Sequence, residues 1–591
     1  MIAQVTLEQY NMNVMGKKRK VYALVLFIIV GLAALIHASV MIPYGRERCI
    51  NELCGIFFGD IYRAHDETWY MALSTNLFSS FPFKTPIYAG APLTGYNYLS
   101  SLLMIPFTML DVPVWIAMYW ILPLLWFILF ALLSLHLAKA INTSKGFILS
   151  FLFFQFFAGS FNFLIRLRNY GNLWEPKVSF LHQSPHFLLN MPMAWSLLAI
   201  LSLLILMTRA PTLLRHGVYA AFLIFVGFGL KFYAGIAMVL LWGSYIVFTV
   251  LRERRWMLLI TLGFPAILSI VISVFFFYDP LASLATGSIF IFQPFAITHL
   301  TIEDKDYFYL PDLVLQRYYL YAHGISPRLI AIEALTVFLT IFFSFGTRII
   351  GFMSIVLLIV QKKITIFYLS VMNAMLILFL LFVLFIQKGV WTDTSQFATF
   401  ARLLSNVFAA YALYTIAQQR IRWLAMIGVV LIVLFTIHNA IDIVKVYYLQ
   451  PNYAYIPSKE VQALNVLRKL PRGVVFVFPH KRLQIFNHLD SRPVILWKAA
   501  DSSYVAAYSN KPLWYADQFQ MQITGVQNDQ RETLMRNIDT ISIKNISARY
   551  FYLTKEHPDY VLMDRKLKYA GFPIVFENSE VRLYEHRSSN N

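Results

Sequence analysis

Apolar segments of about 20 residues recur along this chain from residue 21 to about residue 446. Each segment is long enough to cross a hydrocarbon core about 30 Å thick. Hydrophobic residues occupy 59% and charged residues 13% of the 591 positions, whereas about a quarter of the residues in an ordinary soluble domain are charged. The sequence therefore predicts a mainly α-helical, polytopic membrane protein.

The basic residues predict the orientation of the chain. The net charge of +19 is spread in short clusters between the apolar segments, a pattern that favours membrane topology over nucleic-acid binding. The basic cluster 17–20 precedes the first apolar segment, 21–42, which lacks a small-residue cleavage site. We therefore expect a multi-pass protein of the plasma (inner) membrane, with a cytoplasmic amino-terminal tail at residues 1–20.

Following the chain from that start gives about eleven spans within residues 21–449, with short helices near the membrane surface. The apolar segment 99–110 is too short to span and is predicted to be interfacial or re-entrant. The long segment 218–251 is interrupted near Lys231 by glycines, which predicts two short helices that meet at Lys231. The predicted external loops lie near residues 43–98, 166–186, 278–328 and 387–402.

The character of the sequence changes at about residue 450. Charged residues become frequent beyond this point, and no segment could span a membrane. Short β-rich segments alternate with helical patterns, which predicts a small extracytoplasmic α/β domain over residues 450–591. The predicted strands are 473–478, 493–497, 560–563 and 581–584, and the predicted helices are 458–470 and 531–538.

The first external loop carries the densest group of acidic residues, Asp60, Asp66 and Glu67, beside His65. The segment WYMALSTNLF follows and predicts an amphipathic helix at the membrane surface. A carboxylate at the amino end of a helix is stabilised by free N–H groups and by the helix dipole. Asp66 is therefore a candidate helix cap, a candidate catalytic carboxylate, or both.

The two cysteines, Cys49 and Cys54, lie in the same loop. An oxidising compartment outside the cytoplasm would permit a disulfide between them. Sequence spacing alone does not show the required geometry. A disulfide and two free thiols are therefore equally open at this stage.

The run HDETWYMALSTNLF, followed by PFKTPIYAGAPLTGYNYL, resembles the first external loop of GT-C glycosyltransferases. These polytopic membrane enzymes use polyprenyl-phosphate sugars. In the protein O-mannosyltransferases and aminoarabinose transferases of that superfamily, an Asp-Glu pair begins a juxtamembrane helix and a Pro-Leu-aromatic segment follows. The matching residues here are Asp66, Glu67, Pro92, Leu93, Tyr96 and Tyr98.

The resemblance implies that an aspartate of the first loop acts as the catalytic base on the acceptor, or orients it. Carried over to this sequence, that residue is Asp66, with Asp60 as the second candidate. Displacement of a polyprenyl phosphate also needs cations near the departing phosphate. Lys231 and Arg402, the latter at the outer end of a late predicted span, are the candidates, although each could be an ordinary interfacial charge.

Further candidate substrate-binding residues lie in the first two loops. The second loop also offers Glu175 as a possible second acid. A histidine beside a helix start is more often structural, so each of these residues has a structural alternative. The candidates are Glu67, Tyr96, His182, Gln183 and His186.

The D-x-D pair Asp304 and Asp306 in the third loop has a spacing that binds metal ions in many glycosyltransferases. A hard divalent cation needs more oxygen ligands than two carboxylates supply. Solvated turn residues are the more common reading of such a pair. We therefore predict no metal site and no cofactor.

These observations predict a membrane glycosyltransferase that transfers a sugar from a polyprenyl-phosphate donor to an external glycan, lipid or protein. Direct displacement by the acceptor would invert the anomeric centre. The alternative class is a transporter or lipid flippase, although such proteins tend to show paired repeats and charges near the midplane of several spans. A third possibility is a non-catalytic relative that serves as an assembly partner.

Overall fold

The computed structural model describes residues 2–59, 63–76, 82–174, 187–278, 290–387, 391–449, 453–478, 493–526 and 529–586, with side chains from Lys20 onward. The helices up to residue 449 are α1 (Ile2–Met41), α2 (Thr68–Asn76), α3 (Leu99–Leu102), α4 (Ile105–Met109), α5 (Val114–Ile116), α6 (Leu122–Ile141), α7 (Lys145–Phe157), α8 (Asn162–Tyr170), α9 (Met191–Thr208), α10 (Leu214–Leu230), α11 (Phe232–Glu253), α12 (Phe264–Phe277), α13 (Leu300–Glu303), α14 (Pro311–Ala322), α15 (Pro327–Phe345), α16 (Ile350–Val360), α17 (Ile366–Leu384), α18 (Ser395–Ala417) and α19 (Arg422–Val444). Short π-helical turns occupy Arg63–Glu67, Ala117–Ile121, Leu259–Gly263 and Lys445–Leu449, and short 3-10 turns occupy Gly346–Ile349, Trp391–Thr394 and Ile543–Asn545.

The protein is an integral membrane protein with many spans. Within the described ranges, nine helical segments are long and apolar enough to cross a membrane. The pair α7 and α8, bent by 49°, forms a tenth if it is one span. Helix α10 has 17 residues, which correspond to about 26 Å at 1.5 Å per residue. The described helices therefore include nine or ten that could span, and α10 is shorter than these, so the predicted number of about eleven stays a prediction.

The predicted break at Lys231 is confirmed. Helix α10 ends one residue before Lys231 and α11 begins one residue after it, while the Lys231 backbone is extended. Glycines let the two helices approach closely beside the break. A Cβ added at Gly227 would lie 2.6 Å from the Met238 sulfur, and one at Gly235 would lie 2.4 Å from the Phe228 ring.

The carboxyl-terminal region is built on two small sheets, together with α20 (Ser458–Lys469), α21 (Leu496–Ala499), α22 (Tyr504–Ser509), α23 (Gln518–Ile523), α24 (Asp529–Arg536) and α25 (Tyr560–Tyr569). The strands are β1 (Glu47–Ile50), β2 (Leu53–Phe58), β3 (Phe290–Phe292), β4 (Phe385–Gln387), β5 (Ala454–Pro457), β6 (Val475–Phe476), β7 (Val494–Ile495), β8 (Tyr550–Thr554), β9 (Ile574–Glu577) and β10 (Val581–Glu585). One sheet has the order β6-β8-β10-β9, and the other has the order β1-β2-β5-β7. A separate antiparallel pair, β3-β4, joins the third and fourth loops.

The first loop and the carboxyl-terminal domain share the sheet β1-β2-β5-β7. Strand β2 pairs antiparallel with β5, and Gly55 lies opposite Pro457 in that register. Gly55 permits this close pairing, because an added Cβ would lie 2.0 Å from the Ile456 carbonyl oxygen. Cys49 and Cys54 face each other across the β1-β2 hairpin and form a disulfide, so the sheet edge is covalently closed.

One predicted strand of the carboxyl-terminal domain is wrong. The β-rich segment 560–563 begins α25 instead, in which Met563, Asp564 and Leu567 are buried. These residues recur at helical spacing, and lysines occupy the last turn, where they interact favourably with the helix dipole. The helical spacing of the buried residues continues to Leu567, beyond the four residues that suggested a strand, and the longer pattern favours a helix.

A continuous cluster of buried apolar side chains connects the helix bundle to the carboxyl-terminal domain. It includes Trp126 in α6, Trp69 in α2 and Trp514 in the domain. Helix α2 therefore lies between the two parts.

Candidate active site

The residues around Asp66 form a helical turn that runs directly into α2. The π-helical turn Arg63–Glu67 contains Asp66 as its fourth residue, so Asp66 lies inside a helical turn and the predicted N-cap position is wrong. The turn is stabilised by an ion pair between Arg63 Nη1 and Glu67 Oε1 at 3.3 Å, with both side chains fully buried. The Arg63 guanidinium also lies 4.3 Å from the centre of the Tyr44 ring.

This ion pair determines the place of Glu67. Its side chain is 0% exposed, and its charge acts on the buried hydroxyls of Tyr119 and Tyr508. A buried carboxylate that is already paired with an arginine usually has a structural role and does not contact a substrate. Glu67 as a sugar-binding residue stays a prediction, and its surroundings favour the structural role.

Helix α2 is not amphipathic, contrary to the sequence prediction. Every residue of Thr68–Asn76 except Thr75 is buried. One side of the helix packs against α22 of the carboxyl-terminal domain, where Asn76 Nδ2 donates to the Ala506 carbonyl at 3.5 Å. The small and hydroxyl-bearing residues of α2 look like a polar face in the sequence. In the structure they contact protein instead of solvent, because the carboxyl-terminal domain covers them.

The Asp66 side chain is partly exposed and is hydrogen-bonded to the ring of His65. The distance between Asp66 Oδ1 and His65 Nδ1 is 3.0 Å, and the Asp66 side chain is 23% exposed. The opposite ring nitrogen, His65 Nε2, lies 2.9 Å from Asp517 Oδ1 in the carboxyl-terminal domain. Burial lowers the pKa of His65, but Asp517 and Asp66 together hold it well above its ordinary value.

Lys231 and Asp393 complete a charged cluster with Asp66. Burial lowers the pKa of Lys231 from its ordinary value, and the nearby carboxylates of Asp393 and Asp66 oppose that shift. Burial also raises the pKa of Asp393, an effect that Lys231 opposes and Asp66 reinforces. Charges of the first loop, the α10–α11 break and the fourth loop therefore act on one another electrostatically.

Tyr96 of the Pro-Leu-aromatic segment lies within the electrostatic influence of Asp66 and Asp393. Burial raises the pKa of its hydroxyl, and the charges of Asp66 and Asp393 raise it further. Its ring packs edge-on against Trp69 with 5.5 Å between centroids. The next residue, Asn97, donates from Nδ2 to the Leu230 carbonyl at 2.8 Å, which fixes this segment to the end of α10.

Arg402 lies farther from the start of its helix than the sequence predicts. Helix α18 begins at Ser395, so the fourth loop is shorter than predicted and Arg402 lies about 10 Å along the helix from its start at 1.5 Å per residue. The Arg402 side chain is buried, and its Nη2 donates to Thr399 Oγ1 at 2.7 Å. Its Nε has no hydrogen-bond partner in the described part of the chain.

A second buried arginine, Arg348, repels Arg402 electrostatically. Arg348 donates to the carbonyls of Ala158 and Gly159 and to Asn406 Oδ1. It follows the break at Gly346, where the backbone has a φ of +55° and an added Cβ would lie 2.3 Å from the Gly159 oxygen. Two buried guanidinium groups whose charges repel each other favour the binding of an anion.

Several predicted residues lie outside the described part of the chain. They are Asp60, Glu175, His182, Gln183 and His186. Asp304 and Asp306 are described: the Asp306 N–H donates to Asp304 Oδ1 at 2.9 Å, an arrangement typical of a polar turn. No group of three metal-ligating side chains occurs among the residues that the structure describes.

Sequence reasoning missed four residues of this region: Asp393, Arg348, His65 as a bridging residue, and Asp517. Asp393 had a usable signal, since it is an acid in a short loop predicted on the same side as Asp66. Asp517 had none, because it is 452 positions from His65 and reaches it only through the shared junction.

No protein-family model matches the sequence, and no curated protein matches it. Among solved structures, the chain is similar to the Archaeoglobus fulgidus oligosaccharyltransferase tethered with an acceptor peptide, with 12% identity and a TM-score of 0.47 over 95% of this chain and 74% of that chain. It is also similar to ArnT from Cupriavidus metallidurans bound to undecaprenyl phosphate, with 11% identity and a TM-score of 0.45 over 95% of this chain and 98% of that chain. Both are GT-C membrane glycosyltransferases. At these values we assign no residue from either structure.

Proposed function

We propose that this protein is a membrane glycosyltransferase that transfers a sugar from a polyprenyl-phosphate donor to an acceptor outside the cytoplasm, with Asp66 as the catalytic base. The observation that carries the proposal is the meeting of Asp66, Asp393 and Lys231 beside Tyr96. The resemblance of the first loop to GT-C enzymes supports the same reaction class. The acceptor is a glycan, a lipid or a protein.

The reaction divides between a base and a set of cations. Asp66 accepts the proton of the acceptor hydroxyl or amine while that atom forms a bond to the anomeric carbon. The bond from the anomeric carbon to the phosphate oxygen breaks, and its electron pair leaves with the polyprenyl phosphate. Attack from the face opposite the phosphate inverts the anomeric centre.

Lys231 and Arg402 are the cations that we assign to the phosphate. Lys231 lies at the charged cluster, where it can stabilise negative charge as it develops on the leaving oxygen. Arg402 is buried, and its Nε lacks a hydrogen-bond partner in the described ranges. A guanidinium in that state is suited to an anionic headgroup delivered from the lipid.

Two observations support placing this cluster outside the cytoplasm. Basic residues flank the opposite ends of the predicted spans, as the positive-inside rule requires. The Cys49–Cys54 disulfide lies in the same loop as Asp66, and disulfides persist in oxidising compartments. Both fit a plasma-membrane protein with its carboxyl-terminal domain outside.

Transfer of labelled sugar from a synthetic polyprenyl-phosphate donor tests the proposal in purified, lipid-reconstituted protein. Asp66→Asn should lower the rate at least about 100-fold, in the range that general base catalysis supplies. Asp312→Asn is the matched control, because Asp312 is an exposed acid in the third loop. Asp393→Asn distinguishes the base from its charged neighbour.

Four results would contradict parts of the proposal. Full activity of Asp66→Asn excludes Asp66 as the base, and loss confined to Asp393→Asn reassigns that role. Movement of the lipid across liposomes without sugar transfer favours the flippase alternative, for which buried arginines within spans are also typical. Absence of both activities favours an assembly partner.

A further inference from the structure

We propose that His65 and Asp517 position the Asp66 carboxylate, so that the carboxyl-terminal domain completes the active site. This inference rests on the proposed function, since it assigns a positioning role at the same site. Its basis is a continuous chain of contacts from Asp517 through both ring nitrogens of His65 to Asp66.

The geometry specifies the charge of His65. Carboxylate oxygens lie 3.0 Å from Nδ1 and 2.9 Å from Nε2. An ionised carboxylate only accepts hydrogen bonds, so two ionised carboxylates are both bonded only by a ring that carries a proton on each nitrogen, and we assign the imidazolium form to His65. The charged groups that face the ring are Asp66 on its own turn and Asp517 on the domain, and both favour this form. Phe519 packs edge-on against the ring at 5.2 Å and limits access to water.

Asp517 is held by the domain itself. Its side chain is fully buried, its Oδ2 accepts from Ser503 Oγ at 2.8 Å, and its Oδ1 accepts from the Gln520 N–H at 3.2 Å. Its own N–H and that of Gln518 donate to the two oxygens of Asp501 at 2.9 and 2.8 Å.

The backbone at Asp517 has a φ of +56°. Few residues other than glycine adopt this left-handed conformation, and such positions concentrate at functional sites. The conformation directs the Asp517 carboxylate both to the start of α23 and to His65. Asp517 is therefore fixed before it contacts the first loop.

This arrangement explains how the base is oriented. The imidazolium holds Asp66 Oδ1, which leaves the second oxygen of the partly exposed carboxylate for the acceptor. Loss of a proton from His65 would leave it able to donate to only one of the two carboxylates. While Asp66 and Asp517 are ionised, the connection between the domain and Asp66 is therefore present below the pKa of His65 and is lost as the pH rises through it.

Asp517→Asn tests the inference, because the amide keeps the shape and one oxygen acceptor but removes the charge. We expect kcat to fall at least about 10-fold at pH 8 while KM for the donor changes less than about 2-fold. We also expect the alkaline limb of the pH–rate profile to move to lower pH by about one unit or more, since the imidazolium has lost one of its two carboxylates.

Asp564→Asn is the matched control. Asp564 is a buried carboxylate of the same domain that accepts from Arg582 Nη1 and Tyr584. Its loss weakens the domain without touching His65. We expect lower thermal stability in this variant and an unchanged pH–rate profile, which separates positioning from domain stability.

The protonation state of His65 gives a second measurement that does not depend on activity. Nitrogen NMR of histidine-labelled full-length protein in nanodiscs, with the His65 signal assigned by its loss in His65→Gln, should show both ring nitrogens protonated at pH 8. The signal should shift toward neutral imidazole in Asp517→Asn. A neutral ring in the natural protein, or identical pH–rate profiles in the presence of Asp66-dependent transfer, would overturn the inference. Absence of transfer with an imidazolium at His65 would instead overturn only the proposed function.

Discussion

Glu460 is a buried carboxyl in α20 of the carboxyl-terminal domain whose replacement should stabilise the protein. It is 2% exposed, and its Oε1 accepts hydrogen bonds from the hydroxyls of Tyr504 at 2.5 Å and Tyr552 at 3.2 Å. Burial raises the pKa of Glu460 from 4.5 to about 7, although the two tyrosines oppose the shift. The perturbation is Glu460→Gln, which keeps an oxygen acceptor at the same position and cannot ionise.

The magnitude follows from the difference between the two pKa values. The unfolded carboxyl loses its proton at about pH 4.5, whereas the folded carboxyl keeps it up to about pH 7. Between these values the unfolded state binds fewer protons, so the free energy of unfolding falls as the pH rises and becomes constant above pH 7. The total loss is about 3 kcal/mol, at about 1.4 kcal/mol for each pH unit.

Glu460→Gln should therefore match the natural protein near pH 4.5 and exceed its stability by up to about 3 kcal/mol at pH 8. Amide hydrogen exchange of the buried strand β8 in full-length, lipid-reconstituted protein measures this difference, after correction for intrinsic exchange rates. Asp539→Asn is the control, since Asp539 is an exposed acid of the same domain and is not one of the charges that shift the pKa of Glu460. Equal protection of β8 at pH 5 and pH 8 in the natural protein, or lower protection in Glu460→Gln at pH 8, would refute the reasoning.

Two further predictions concern the first loop. Arg63→Met removes the cation from a fully buried ion pair with Glu67 and should lower the free energy of unfolding by about 3–5 kcal/mol; a thermal-stability measurement checks this, and we expect the double replacement with Glu67→Leu to recover most of the loss. Gly55→Val should separate β2 from β5, because the added Cβ would lie 2.0 Å from the Ile456 oxygen. Faster hydrogen exchange at Ile456 with unchanged exchange in α18 would confirm it, whereas unchanged exchange at Ile456 would exclude the steric argument.

Much of the membrane-embedded fold could be predicted from the sequence, because a bilayer imposes a length and a polarity on each span. The Lys231 break was also predictable, since a lysine among glycines within a long apolar run cannot stay in a continuous hydrocarbon-spanning helix at low cost. The start of α18 at Ser395 could not be predicted in the same way. Its first turns include polar residues beside Phe397, Ala398 and Phe400, and these apolar side chains are buried in protein, where a lipid-based criterion does not apply.

The candidate site was predictable only in part, and the reason lies in distance along the chain. Asp66, Lys231 and Tyr96 each stand beside a local signal: an acidic pair, a helix break and a Pro-Leu-aromatic segment. The environment of α2 could not be inferred locally, because its hydroxyl and small residues are buried by α22, about 430 positions later. The same long-range packing brings Asp517 to His65. The incorrect amphipathic prediction for α2 and the failure to find Asp517 therefore have one physical cause.

The connections between the first loop and the carboxyl-terminal domain are of three kinds, and they act on the same short segment. The β1-β2 hairpin, closed by its disulfide, extends the domain's sheet through β5; α2 packs against α22; and His65 joins Asp66 to Asp517. Removal of the domain would leave the β2 edge unpaired and expose apolar residues of α2 such as Trp69, each of which is costly in water. We therefore expect the first loop to lose this conformation when the domain is removed. The contacts of the domain hold the Asp66 carboxylate in its orientation, which makes the domain a condition for the chemistry that we propose at Asp66.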